Sequence, residues 1–296
     1  MRLRPRLPPP LRRVRNRLHI ATRGRRELAV DTIAWISNAR SGSTYVCELL
    51  HSHPQIAAHA EIFHRKCVFT HDFAPISRLL ADRYGVSFPQ PRDAALVRFI
   101  HEAPARFLSD LRELAGGRVL SFKIFPGHLD QPEFRRVVLA DRNIAKVLFR
   151  RDPLATFISR EKALQRKQWE FADTSGQRIH ADPERFHAHV LSLQRWYASA
   201  RHYLEDTGQP YWETSYEELM QIPGDDARRR WIIEQLADTF PAFRILDPSA
   251  GAQEMLRHRK QDASRALEDK LSNYEDFCRG LIERGLEHHL PTEAAR

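Results

Sequence analysis

From residue 30 onward, short apolar runs alternate with longer stretches in which apolar residues recur at helical spacing. The runs 30–37, 56–60, 118–124, 145–151 and 210–215 read as strands. Lys146-Val147-Leu148-Phe149 is short and apolar, as a strand buried on both faces should be. Between the runs lie helical patterns. Val46, Leu49 and Leu50 share one face of a helix that follows the first strand. Residues 92–115 form two helical pieces, broken at Pro104 and stopped at Gly116-Gly117. Residues 184–206 form a long helix, and 226–239 another, with Trp231, Ile232, Leu236 and Phe240 on or near one face. This rhythm predicts an α/β fold with a central, mostly parallel sheet flanked by helices. No internal repeat interrupts it. Residues 63–90, rich in His, Phe and Pro, break the rhythm and read as an inserted lid or subdomain, or an oligomer contact.

The length of 296 residues suits one α/β domain with insertions better than two domains. The boundaries expected are an Arg/Pro-rich arm at 1–29, a single domain at 30–290 with a helical insertion around 63–116, and a tail at 291–296. Charge sharpens the first boundary. The net charge is +9, and residues 1–30 hold ten Arg, no Lys and one acid, Glu27. From residue 31 on, bases and acids balance. The body therefore carries no general signature of nucleic-acid binding, and no nucleic-acid partner is expected. The arm contains Pro8-Pro9-Pro10 and reads as a solvated tail. A sharper alternative is a weak membrane-surface helix, with Leu11, Val14 and Leu18 set among Arg12, Arg13, Arg15 and Arg17. No apolar run approaches the length of a membrane span, and the arm lacks the apolar stretch of a signal peptide. Cys47, Cys67 and Cys278 are odd in number and widely spaced, which reads as free thiols in a reducing compartment. The expected location is cytoplasmic, and, on the alternative reading of the arm, peripheral at the inner membrane surface.

The chemistry concentrates at the carboxyl ends of the expected strands, where parallel sheets bind ligands. The first strand runs into Ser37-Asn38-Ala39-Arg40-Ser41-Gly42-Ser43-Thr44 and then into a helix. Strand, small-residue loop and helix start make an anion cradle of backbone N–H groups and helix dipole. An ATP-type loop reads G-x-x-x-x-G-K-[ST]. This one keeps Gly42 and Thr44 but has Ser37 in place of the first Gly and Ser43 in place of the Lys. That Lys reaches the β/γ-phosphates, so its loss suggests a shorter anion. The fourth strand ends in Phe149-Arg150-Arg151-Asp152-Pro153. Asp152 and Pro153 fit a helix start, and Ser159 lies about two turns in. Arg151 can give forked hydrogen bonds to a phosphate, although an Arg–Asp surface pair accounts for the same letters.

Together these two segments resemble the sulfotransferases that use 3′-phosphoadenosine-5′-phosphosulfate (PAPS). The resemblance implies a P-loop-type three-layer fold with the kinase Lys altered and no metal. It implies that Arg40, Ser41, Gly42, Ser43 and Thr44 hold the 5′-phosphosulfate and that Arg151 and Ser159 hold the 3′-phosphate. A closer resemblance is to the bacterial carbohydrate and glycolipid branch, which includes trehalose 2-sulfotransferase and the nodulation-factor enzyme. Its acidic residue before an aromatic one is matched by His59-Ala60-Glu61-Ile62-Phe63, which makes Glu61 the general base. Its strand-end Lys is matched by Lys123 in Ser121-Phe122-Lys123-Ile124, placed to reach the sulfuryl oxygens or to pair with a structural carboxylate. Its downstream Gln and Trp are matched by Gln165 and Trp169. Tyr216, in Glu213-Thr214-Ser215-Tyr216-Glu217-Glu218-Leu219, corresponds to a residue near the adenine, and a helix cap at Ser215 with Glu218 explains the segment equally well. Arg257, Arg259, Lys260 and Gln261 resemble the basic loop over the cofactor, against the alternative of a solvated charge run. Asn273-Tyr274-Glu275 fits a terminal packing helix.

The activity so implied is sulfuryl transfer from PAPS to a hydroxyl of a carbohydrate or glycolipid acceptor, with Glu61, Arg40 and Lys123 catalytic. Two other readings stay open: a P-loop nucleotide kinase or hydrolase, which needs the missing Lys, and a non-catalytic binding protein acting through its arm. The histidines at 51, 53, 59, 64 and 71 show no metal-site spacing and read as solvated or hydrogen-bonded, with His59 and His128 available to line an acceptor pocket. Aromatic residues such as Phe63, Phe69, Trp169 and Phe171 could stack on sugars or fill a core. The resemblance also raises a homodimer.

Overall fold

The computed structural model describes residues 30–167, 174–251 and 266–291. Elements follow in the order β1 (Thr32–Ile36), α1 (Ser43–His51), β2 (Ile56–Ala58), α2 (Ala74–Tyr84), α3 (Ala94–Glu102), α4 (Pro104–Ala115), β3 (Val119–Ile124), α5 (Gln131–Glu133), β4 (Ile144–Arg150), α6 (Pro153–Arg166), α7 (Pro183–Asp206), β5 (Tyr211–Ser215), α8 (Tyr216–Met220), α9 (Asp225–Thr239) and α10 (Tyr274–Ile282). The short α5 continues into a wider π-type turn at Phe134–Leu139. The five strands form one parallel sheet in the order β2-β3-β1-β4-β5. The α/β expectation therefore holds, as do the five strands to within two residues at either end and the break at Pro104.

Alternation along each strand sorts side chains to the two faces. Ala34 and Ile36 of β1, Leu120, Phe122 and Ile124 of β3 and Leu148 of β4 join one core, shared with α2, α3, α4 and the second half of α7. Ile33 and Trp35 of β1 and Ala145, Val147 and Phe149 of β4 join the opposite core, shared with α1 and α9. A third cluster packs α6 on the first half of α7 and on α10 through Phe157, Phe186, Phe277 and Leu281. It fixes the helix that carries Ser159. The terminal packing helix expected near residue 274 is α10.

The segment 63–90 differs from its reading as a lid or subdomain. Phe63, Val68, Ile76, Leu80 and Phe88 are buried in the largest core, so the segment covers one face of the sheet. It belongs to the long crossover from β2 to β3, together with α3 and α4. Its sequence hides this because its buried residues lie partly in loops, without a helical or strand period.

The order β2-β3-β1-β4-β5 puts β1 in the middle. The chain leaves it first toward β3 and later toward β4, so the loops after β1, β3 and β4 meet at one end, at the topological switch point where such sheets bind ligands. The loop after β1 is pinned from several sides. Ser37 N–H donates to Ile124 O of β3 (3.0 Å), and Ser37 Oγ donates to Phe149 O of β4 (2.9 Å). From α7, Trp196 Nε1 donates to Ser37 O (3.0 Å), and the Tyr197 hydroxyl lies 2.9 Å from both Asn38 Oδ1 and Phe149 O. Buried polar atoms left without partners cost about 1–3 kcal/mol each, so these bonds hold the loop in one conformation. Tyr197→Phe is expected to lower stability by about 1 kcal/mol in urea unfolding and to speed amide exchange at residues 38–42. Unchanged exchange there would show that α7 does not hold the loop.

Candidate active site

The anion loop ends in a left-handed Gly42 (φ 87°), the N-cap of α1, which makes no side-chain capping bond. The first N–H groups of a helix lack acceptors within it, so α1 opens toward the cleft with donors and a positive dipole end. Glycine is required at 42 twice over. Its φ disfavours a side chain, and an added Cβ would lie 2.4 Å from the Tyr216 ring. Arg40 also adopts positive φ (69°), which turns its side chain away from the loop it belongs to.

Arg40, expected at the 5′-phosphosulfate, turns its side chain toward α6. Arg40 Nε donates to Ser159 Oγ at 2.9 Å, and Arg40 O accepts from Arg151 Nη1 at 3.0 Å. Arg40, Arg151 and Ser159 thus form one hydrogen-bonded set across the loop after β1, the end of β4 and α6. The Arg151 guanidinium stacks on Tyr216, 4.5 Å from the ring centroid, and its buried Nε has no hydrogen-bond partner among the described residues. Arg150, by contrast, points outward to Glu213 (2.9 Å). The side chain of Ser41 is engaged within the loop itself. Its hydroxyl is turned inside the loop, 2.7 Å from Ser37 Oγ, where it also accepts from Ser43 N–H at 3.4 Å. Ser41 and Ser43 are both buried, and the Ser41 hydroxyl shapes the cradle instead of facing a ligand.

The helix-cap reading of the segment after β5 is realised. Ser215 and Glu218 form a full capping box on α8, and Tyr216 at the first helical position covers Gly42 and Arg151. Gln165 accepts from Gln177 at 3.1 Å. Trp169, Phe171, Arg257, Arg259, Lys260, Gln261 and the arm at 1–29 lie outside the described residues.

Beyond β2 the chain stays hydrogen-bonded to β3. His59 N–H donates to Ser121 O (2.7 Å), and Lys123 N–H donates to Ala60 O (3.1 Å). This extension places Glu61 beside Lys123. Lys123 points to the α1 side of the sheet, where its Nζ lies 2.6 Å from Thr44 Oγ1 and 3.1 Å from Glu61 Oε1. Lys123 is only 2 % exposed. An ammonium thus stands against the first turn of α1, although the loop has Ser43 at the lysine position. The charge comes from the neighbouring strand, and a motif scan along the loop cannot find it.

Glu61 Oε2 faces His128 Nε2 at 3.4 Å. Burial alone would raise the carboxyl's pKa. The hydrogen bond from His128 and the charge of Lys123 outweigh it and pull the pKa down to about 2. His59 is engaged elsewhere: its Nδ1 lies 2.7 Å from Thr70 Oγ1, and burial lowers its pKa to about 4, so it is neutral near pH 7. Spacing suggested no metal cluster, yet folding brings ligand-capable atoms of Glu61, His64 and His128 within 4.8 Å of one another. The sequence could not show this, because His128 comes from the turn after β3.

The depressed pKa sets a pH dependence. A carboxyl that titrates near 4.5 unfolded and near 2 folded contributes stability above about 4.5, and that contribution disappears as pH falls through about 2. Between those values wild type is expected to lose stability more steeply than Glu61→Gln, which has nothing to titrate there. Equal slopes in denaturant unfolding across this window would contradict the clamped carboxylate.

No family model matches the chain, and no curated protein matches it. Among solved structures it is similar to the sulfotransferase domain from the Synechococcus PCC 7002 olefin synthase, with 17 % identity, a TM-score of 0.37, and coverage of 86 % of this chain and 94 % of that one.

Proposed function

We propose that this chain transfers a sulfuryl group from PAPS to a hydroxyl of a carbohydrate or glycolipid acceptor, with Glu61 as general base. The observation that carries the reading is the Arg40–Ser159–Arg151 set beside the uncapped start of α1. It supplies two adjoining anion-binding elements, and its buried Arg151 Nε has no acceptor among the described residues. A nucleotide with separate 5′ and 3′ anionic groups fits such a pair. A linear triphosphate fits less well, and Ser43 removes the loop lysine it would need.

In this reading the N–H groups at Gly42–Thr44 hold the 5′ group, and Arg151, Ser159 and Arg40 hold the 3′-phosphate through charge-assisted hydrogen bonds. When bound, the nucleotide supplies an activated sulfuryl group. Lys123, already at Thr44 in the first turn, offers positive charge where the transferring group would lie. Glu61 takes the proton of the acceptor hydroxyl as its oxygen attacks. A carboxylate held ionised is free to do so at neutral pH, and in a loose transition state it acts late, once the oxygen has become acidic. Tyr216 covers the loop and Arg151 as a platform for the base. The acceptor class follows the resemblance of the 59–63 segment to carbohydrate and glycolipid enzymes. The arm, with its ten arginines, would hold the protein near anionic lipid where glycolipids reside.

Arg151→Ala is expected to weaken adenosine 3′,5′-bisphosphate roughly 10–100-fold and adenosine 5′-phosphate far less. Equal losses in calorimetry would refute the assignment of Arg151. Glu61→Gln is expected to lower turnover on the order of 10²–10⁴-fold while bisphosphate affinity stays the same. The activity itself is tested with labelled PAPS and a bacterial glycolipid extract. No transfer to any acceptor, together with no binding of the bisphosphate, would sink the proposal.

A further inference from the structure

We propose that His128 is a positioning residue for Glu61, held by the backbone in the tautomer that can only donate to the carboxylate. This rests on the reading of Glu61 as the base. The turn after β3 makes the arrangement. Phe125 N–H donates to His128 Nδ1 at 3.2 Å, and His128 N–H returns a bond to Phe125 O at 3.2 Å. A backbone N–H cannot accept, so Nδ1 is the unprotonated nitrogen and the ring proton sits on Nε2. Nε2 is the atom that faces Glu61 Oε2, at 3.4 Å. The ring is 6 % exposed and packs on Phe125, with centroids 5.1 Å apart.

Glu61 is therefore flanked at both oxygens, with Lys123 Nζ 3.1 Å from Oε1 and His128 Nε2 3.4 Å from Oε2. The two donors fix the plane of the carboxylate, and each oxygen keeps a lone pair for an incoming hydroxyl. His128 cannot relay the proton onward, because its only free lone pair is spent on Phe125 N–H. Its part is to aim Glu61. The other groups around the pair are His64, whose ring centroid is 5.4 Å from that of His128; Arg65, whose Nε donates to Gly127 O; His101 of α3; and Cys47 of α1, a buried thiol pushed up to about 11.

The same geometry argues against a cation held by Glu61, His64 and His128. Ligation through Nε2 needs a lone pair there and moves the proton to Nδ1. In both rings Nδ1 already accepts a backbone N–H, from Phe125 in His128 and from Lys66 in His64 (3.2 Å). The Lys123 ammonium, 3.1 Å from the carboxylate, would repel the ion.

The test combines a spectrum with kinetics. Long-range ¹H–¹⁵N spectra of the histidine-labelled full chain near pH 7, assigned with His128→Gln, are expected to show His128 as the neutral Nε2–H tautomer. Glu61→Ala should move that Nε2–H signal. An Nδ1–H tautomer, or a signal indifferent to Glu61, would overturn the proposal whether or not any transfer activity is found. In turnover, His128→Ala is expected to lose roughly 10–100-fold in kcat with bisphosphate affinity unchanged. His128→Gln, which can place an amide N–H near the position of Nε2, should recover most of it. Equal impairment by Ala and Gln would reduce His128 to a packing role. Chelator-reversible zinc binding lost in both His64→Ala and His128→Ala would show the rings to be ligands, and would also overturn the proposal.

Discussion

A buried ammonium organises this cleft. Lys123 is almost wholly removed from water, and its partners are Thr44 at the start of α1 and Glu61 beyond β2. A charge so placed is tolerable only when paired, and removing one partner of a buried pair typically costs about 3–5 kcal/mol. The pairing therefore fixes three things at once: the position of the anion cradle on β3, the ionisation of Glu61, and the distance between them. The tie is short because β3 lies beside β1 in the sheet, so a side chain from its far end reaches the first turn of the helix that follows β1.

The rest of the cleft follows from that adjacency. On the other side of β1, β4 delivers Arg151 against the carbonyl of Arg40, and α6 delivers Ser159 against the Arg40 side chain. Arg40 links the two sides: its backbone belongs to the loop, and its guanidinium reaches Ser159 on α6. The positive φ at residue 40 makes this possible, and the polar bonds from α7 to Ser37 and Asn38 hold it. Tyr216 closes the set from β5, pressed on a residue that must be glycine. All the strands but β2 end in a residue of this cleft, and β2 reaches it through the extension that carries Glu61.

Most of the fold was legible because parallel strands buried on both faces leave continuous apolar runs, and because Pro104 and Gly116-Gly117 punctuate the helices plainly. The crossover from β2 to β3 was not legible as core, since Phe63, Val68 and Phe88 are buried from loops that have no period. At the candidate site, motif spacing picked out residues that the fold brings together, but not the directions of their side chains. Spacing did not show that the Ser41 hydroxyl faces inward, onto Ser37. Arg40 was given to the phosphosulfate and its side chain turns to Ser159. Of the segment after β5, the helix cap at Ser215 with Glu218 is present, and the contact of Tyr216 with Gly42 and Arg151 was not read from the sequence. What spacing could not reach were pairings across the sheet: Lys123 with Thr44, and Glu61 with His128, contributed by strands or loops separated by dozens of residues. A lysine inside an apolar strand end is the one signal that could have marked the first of them.

In the proposed function, Arg151, Ser159 and Arg40 receive the 3′-phosphate of a nucleotide whose 5′ group sits on the first turn of α1. The most direct measurement is a crystal structure of the full chain with adenosine 3′,5′-bisphosphate. The 3′-phosphate is expected within hydrogen-bonding distance of Arg151 and Ser159, the 5′-phosphate on the N–H groups of residues 42–44, and Tyr216 against the purine. A nucleotide bound with its 3′-phosphate in solvent, or seated away from the loop after β1, would contradict it.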